Sequence, residues 1–111
     1  MEIRVVIDLP ATPNEVWSYL ADVTKHSEWM IDATRVEVTS KILEGPGLTF
    51  DCLTSVGPFR LRDRMKILEW EPGHVMGVQH SGIVSGFGRF TLVPNTGGTR
   101  FCWDEAIQLP W

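Results

Sequence analysis

Residues 59–70 read FRLRDRMKILEW, and their alternation decides the fold. Phe59, Leu61, Met65 and Ile67 share one parity, while Arg60, Arg62, Arg64 and Lys66 share the other. A period of two over this length is that of a long β-strand with one apolar and one charged face. The basic run is read as a solvated convex face, with Asp51 and Asp104 on the same outer side as cross-strand partners.

The flanking sequence repeats the pattern between turn signals. Glu44-Gly45-Pro46-Gly47, Gly57-Pro58, Glu71-Pro72-Gly73, Ser81-Gly82 and Pro94-Asn95-Thr96-Gly97-Gly98 punctuate β-rich runs, as in an antiparallel meander. Strands are expected over Thr34–Ile42, Leu48–Val56, Phe59–Trp70, His74–His80, Val84–Val93 and Thr99–Leu109. Ile3, Val5, Ile7 and Leu9 alternate in a further strand that Pro10 stops, giving seven. Thr12-Pro13-Asn14-Glu15 reads as a capped helix start, with Val16, Trp17, Leu20 and Ala21 on its apolar side. A second short helical turn is expected over Lys25–Met30, carrying Trp29 and Met30.

Parity gathers one apolar face. It takes Phe50, Cys52, Phe59, Leu61, Met65, Ile67, Met76 and Val78, then Phe90, Leu92, Phe101, Trp103 and Ile107. Gly86 and Gly88 fall on the same side, where they would leave room beside a ligand or mark a bend.

The 111 residues fit one domain, expected to span 1–111, and folding at this size hides roughly 65% of the chain's surface. Hydrophobic residues make up 43% and charged residues 22%, a globular balance. Five tryptophans and five phenylalanines suit a core or the lining of a pocket. The net charge of -4 argues against sequence-independent nucleic-acid binding, and no apolar run is long enough for a membrane span. Cys52 and Cys102 form no CxxC pair and are expected as reduced thiols in a cytoplasmic protein.

A seven-stranded sheet with one apolar face must cover it with another layer, and the helical material is short for strands of this length. The order of strand, two short helices and six strands resembles the START-like or Bet v1-like superfamily, the polyketide cyclase/dehydrase and lipid-transport group. The matching stretches are Ala11-Thr12-Pro13-Asn14-Glu15-Val16-Trp17, Trp29-Met30, the turn at 45–47, Trp70-Glu71-Pro72-Gly73, and Gly97-Gly98-Thr99-Arg100 leading into Trp103. The resemblance implies an α+β helix-grip fold, a curved antiparallel sheet gripping a long C-terminal helix around a cavity. This sequence stops where that helix should begin, so the expectation is either a truncated chain or a second subunit that supplies the cover. An uncovered apolar face is an association surface, so a homodimer through it is expected, with Phe90, Trp103 and Trp111 as its anchors.

Asp63, His80 and Glu105 fall on the apolar parity. Burial disfavours a charged carboxylate there, which is how general acids are made. Asp63 and His80 are expected on neighbouring strands, with Glu105 two or more strands away. The function expected first is binding of a small hydrophobic molecule, a lipid, isoprenoid or polyketide-like compound. Its lining would be Phe50, Cys52, Phe59, Leu61, Met65, Met76, Val78, Phe90, Phe101 and Trp103. The alternatives are a cyclase or dehydratase using Asp63, His80 and Glu105 as catalytic acid–base groups, and a protein-interaction module. His26, His74, His80 and the cysteines show no metal-ligand spacing, and no cofactor is expected.

Overall fold

The computed structural model describes residues 1–25, 33–56, 58–82 and 84–108. It shows a curved seven-stranded antiparallel sheet. Its strands are β1 (Glu2–Leu9), β2 (Ala33–Val38), β3 (Thr49–Val56), β4 (Phe59–Glu71), β5 (Val75–Ser81), β6 (Ser85–Asn95) and β7 (Gly98–Gln108). The spatial order is β1-β7-β6-β5-β4-β3-β2, so β2 through β7 form a meander and β1 closes onto the last strand. The first and second strands are the two edges.

Helix α1 (Pro13–Ala21) starts as its sequence dictates. Thr12 is the N-cap, its Oγ1 accepting from Glu15 N at 3.2 Å, and Pro13 occupies the first turn where no N–H is needed. The helix lies on the concave side against β6 and β7, burying Trp17 and Leu20. A 3-10 turn, Val23–Lys25, follows and buries Val23. The second helical turn expected over Lys25–Met30, with His26, Trp29 and Met30, lies outside the described residues beyond Lys25, as does Trp111. Among the described residues no helix follows β7.

The core fills the end of the concave face under α1. Trp17, Leu20 and Val23 pack with Phe50, Ile67, Met76, Val78, Phe90, Leu92 and Phe101. Trp17 meets Trp70 edge-on at 5.0 Å. Strict alternation from Phe59 would send Trp70 to the convex side. A register shift between Ile67 and Glu69 inserts Leu68 as an extra residue and returns Trp70 to the helix.

Across the convex face the basic run meets acids from neighbouring strands. Arg62 reaches Asp51 at 2.9 Å and Glu37 at 3.3 Å, Arg64 reaches Asp51 at 3.4 Å, and Arg4 reaches Asp104 at 2.9 Å. Asp51 is buried beneath its two arginines.

Two expectations need correction. The second strand, expected to run to Ile42, ends at Val38. Ser40 Oγ bonds Ile42 O at 2.6 Å and accepts from Thr49 N at 3.1 Å, folding the chain into a turn that leaves Ile42 exposed. Phe59 shares the inward parity yet is 67% exposed, because it opens β4 at the sheet's rim. It lines no pocket.

Depth therefore separates residues of equal parity. Ile67→Ala, at a fully buried position, is expected to cost about 2–5 kcal/mol in urea denaturation, and Phe59→Ala no more than about 0.5 kcal/mol. Equal losses at both sites would refute this assignment.

Candidate functional site

Toward the end of the concave face away from α1, the lining changes from hydrocarbon to ions. Asp63 on β4, His80 on β5 and Glu105 on β7 all point inward and join in one chain of hydrogen bonds. His80 Nδ1 bonds Asp63 Oδ2 at 2.9 Å, and His80 Nε2 bonds Glu105 Oε2 at 3.1 Å. Glu105 Oε1 accepts from Trp103 Nε1 at 3.0 Å. His80 is only 8% exposed.

Sheet geometry explains how groups on three strands meet. His80 stands opposite Met65 in the β4–β5 register, so Asp63 is its diagonal neighbour. Glu105 is two strands from His80, with β6 between them. It crosses β6 over Gly88, the residue opposite both Glu105 and Val78. A Cβ on Gly88 would lie 2.9 Å from Glu105 Oε1 and 3.1 Å from its Cδ. The room expected at Gly88 for a ligand is thus taken by the Glu105 carboxylate. Gly86 has a different reason to be glycine. Its φ is 132°, and a Cβ there would lie 2.1 Å from Ala106 O on the adjacent strand.

The arrangement dictates the charge on the ring. A neutral imidazole has one N–H, so it can donate to only one of two flanking carboxylates, whereas an imidazolium donates to both. Burial opposes the charged ring. The bonds and charges of Asp63 and Glu105 outweigh it and push His80 up to about 9. The protonated ring can donate to both neighbouring carboxyl groups at once. Among the described residues, Asp63 Oδ1 is the one buried side-chain polar atom without a hydrogen-bond partner.

The expected lining divides by depth. Phe50, Cys52, Met76, Val78, Phe90 and Phe101 are buried, and all but Cys52 belong to the packed core. Leu61, Met65 and Trp103 are half-buried around the ionic cluster. Trp103 also has an edge-on contact with Phe90 at 5.4 Å, so it joins the core to the cluster. Ile3, Val5 and Ile7 of β1 lie on this face opposite Glu105, Trp103 and Phe101, and remain 40–48% exposed. Trp103 as the holder of Glu105 and Gly88 as its passage were not read from sequence as site residues in those roles. An inward glycine beside an inward carboxylate was the available signal.

Among the described residues no group of three or more His, Cys, Asp or Glu could hold a metal ion, and no helix is long and apolar enough to cross a membrane.

Comparison with known proteins agrees with this architecture. Residues 1–111 match the family model described as polyketide cyclase / dehydrase and lipid transport. The solved structure of TTHA0849 from Thermus thermophilus superposes with a TM-score of 0.85 at 19% identity, covering 98% of this chain and 75% of that one. The Zhui aromatase/cyclase from Streptomyces sp. R1128 superposes at 0.78 with 17% identity, covering 97% and 68%. Ara h 8.0201 superposes at 0.76 with 12% identity, covering 100% and 79%. These likenesses show the helix-grip fold. No curated protein matches the chain.

His80 makes stability depend on pH in a stated direction. Its pKa rises from 6.5 unfolded to about 9 folded, so the folded chain binds this proton more tightly. The contribution is complete below pH 6.5 and is lost as pH rises through about 9. Urea midpoints should fall between pH 6.5 and 9 in the native chain and stay flatter in His80→Gln. A native midpoint that rises over that range would contradict the raised pKa.

Proposed function

The chain belongs to the polyketide cyclase/dehydrase and lipid-transport family, and we propose that it is a single START-like domain whose concave face binds a small hydrophobic molecule. The observation that carries the reading is the gradient along that face. A sealed apolar floor under α1 gives way to half-buried Leu61, Met65 and Trp103, and then to an ionic cluster with an unpartnered acceptor. An apolar surface with few, fixed polar groups is what a small-molecule site needs. The ligand that fits has an apolar body, lipid, isoprenoid or polyketide-like, laid over the half-buried Leu61, Met65 and Trp103.

The second reading, a cyclase or dehydratase, is favoured by one observation, that three titratable side chains of the same face bond to one another. The same bonds limit it. Both ring nitrogens of His80 are engaged by carboxyl groups, and those bonds raise its pKa to about 9, which disfavours the free base. Proton donation to a substrate would require one of those bonds to open. Binding needs no such step, and we favour it. The exposed Ile3, Val5 and Ile7 are also what a dimer through this face would use, in competition with the ligand.

Native mass spectrometry of freshly purified chain is expected to show a co-purified apolar molecule. N-phenyl-1-naphthylamine, an apolar probe with one N–H donor, should bind with enhanced fluorescence. Met65→Glu should weaken it at least ~10-fold, about 1.4 kcal/mol. The double variant Asp63→Asn/Glu105→Gln should still bind the probe. No bound molecule and no probe binding would end the proposal, whereas turnover lost in the double variant with binding intact would favour the enzyme.

A further inference from the structure

The two edges of the sheet are finished differently. β2 carries Arg35 and Glu37, paired at 3.2 Å, and a register shift between Ala33 and Arg35. Irregularity of this kind discourages another strand from adding to an edge, and it is the register shift, not charge, that sets β2 apart from β1. β1 runs eight residues without proline, lysine or register shift. It exposes Ile3, Val5 and Ile7 on one face and Val6 on the other.

Hydrogen-bond phase shows which groups of β1 are unused. Met1 and Ile107 exchange both backbone bonds, each 2.9 Å. The register continues through Ile3↔Glu105, Val5↔Trp103 and Ile7↔Phe101, so the odd-numbered residues turn their N–H and C=O toward β7. Glu2, Arg4, Val6 and Asp8 turn theirs toward the outer edge, which no other strand pairs among the described residues.

We propose that β1 pairs antiparallel with β1 of a second copy of this chain, with Val6 opposite Val6 on the two-fold axis. Ladder bonds across the new edge can form only between even-numbered residues, and charge then selects among the registers. Centring on Arg4 opposes two arginines, and centring on Val5 opposes Glu2 with Asp8, both unfavourable. Centring on Ile3 or Ile7 uses only two of the four free positions. Centring on Val6 sets Arg4 opposite Asp8 twice. On the concave side it sets Ile3 against Leu9 and Val5 against Ile7, joining the exposed apolar stripes of both copies.

Arg4 and Asp8 already bond Asp104 and Arg100 within the chain, but as exposed side chains of the convex face they can take a second partner. The contact is isologous and closes as a dimer, whereas β1 added to the β2 edge of another copy would propagate. This inference does not depend on what the concave face binds.

Sedimentation of the full chain tests it. The native chain is expected to dimerise, and Val6→Lys, at an outward and exposed position, should raise the dimer Kd roughly 100-fold by facing two cations. Its far-UV circular dichroism should not change. R4E and D8R should each be monomeric, and a one-to-one mixture should restore the dimer, because one chain then carries two acids and the other two bases. A native chain that stays monomeric at millimolar concentration overturns the proposal. So does a dimer that survives V6K, or two monomeric charge variants that fail to associate when mixed.

Discussion

The concave side of this sheet offers more apolar surface than a nine-residue helix can cover, and the rest of the structure follows from that imbalance. Where α1 reaches, Trp17 and Leu20 pack with Met76, Phe90, Leu92 and Phe101 in a buried core. Where it does not reach, the face cannot be sealed in the same way, and its side chains are half-buried. Among the described residues, one face is thus a core over part of its length and half-buried over the rest.

The ionic cluster stands at that open part. Two carboxylates facing each other across a sheltered surface would repel, and neither would be well solvated. A protonated imidazole between them resolves both problems by donating to each. This also orients the cluster, since Trp103 fixes the second oxygen of Glu105 and His80 fixes one oxygen of Asp63. The remaining oxygen of Asp63 is then held at a defined place, as a preorganised acceptor must be.

Much of this was legible from residue order. The alternation of 59–67 fixed which side chains share a face, and three polar residues on the apolar parity marked the cluster before any geometry was known. Contact between them was harder to read, because Glu105 lies two strands from His80 and the path depends on the missing side chain of Gly88. Parity also tells side and not depth, so Phe59 looked like lining while standing at the rim. Thr39–Ile42 continued a strand-like pattern that the Ser40 hydroxyl interrupts with local bonds. The extra residue at Leu68 left no signal, since either phase of Ile67–Trp70 is compatible with a strand.

That extra residue has an architectural consequence. β4 runs from the ionic cluster to the helix, and Leu68 resets its pleat between Ile67 and Glu69. The two ends of the strand are therefore out of step, one phased to the cluster and the other to α1. Lengthening or shortening the strand on one side of this joint leaves the facing of the other side intact, so the ionic cluster and the helix contact can diverge separately within a single continuous strand.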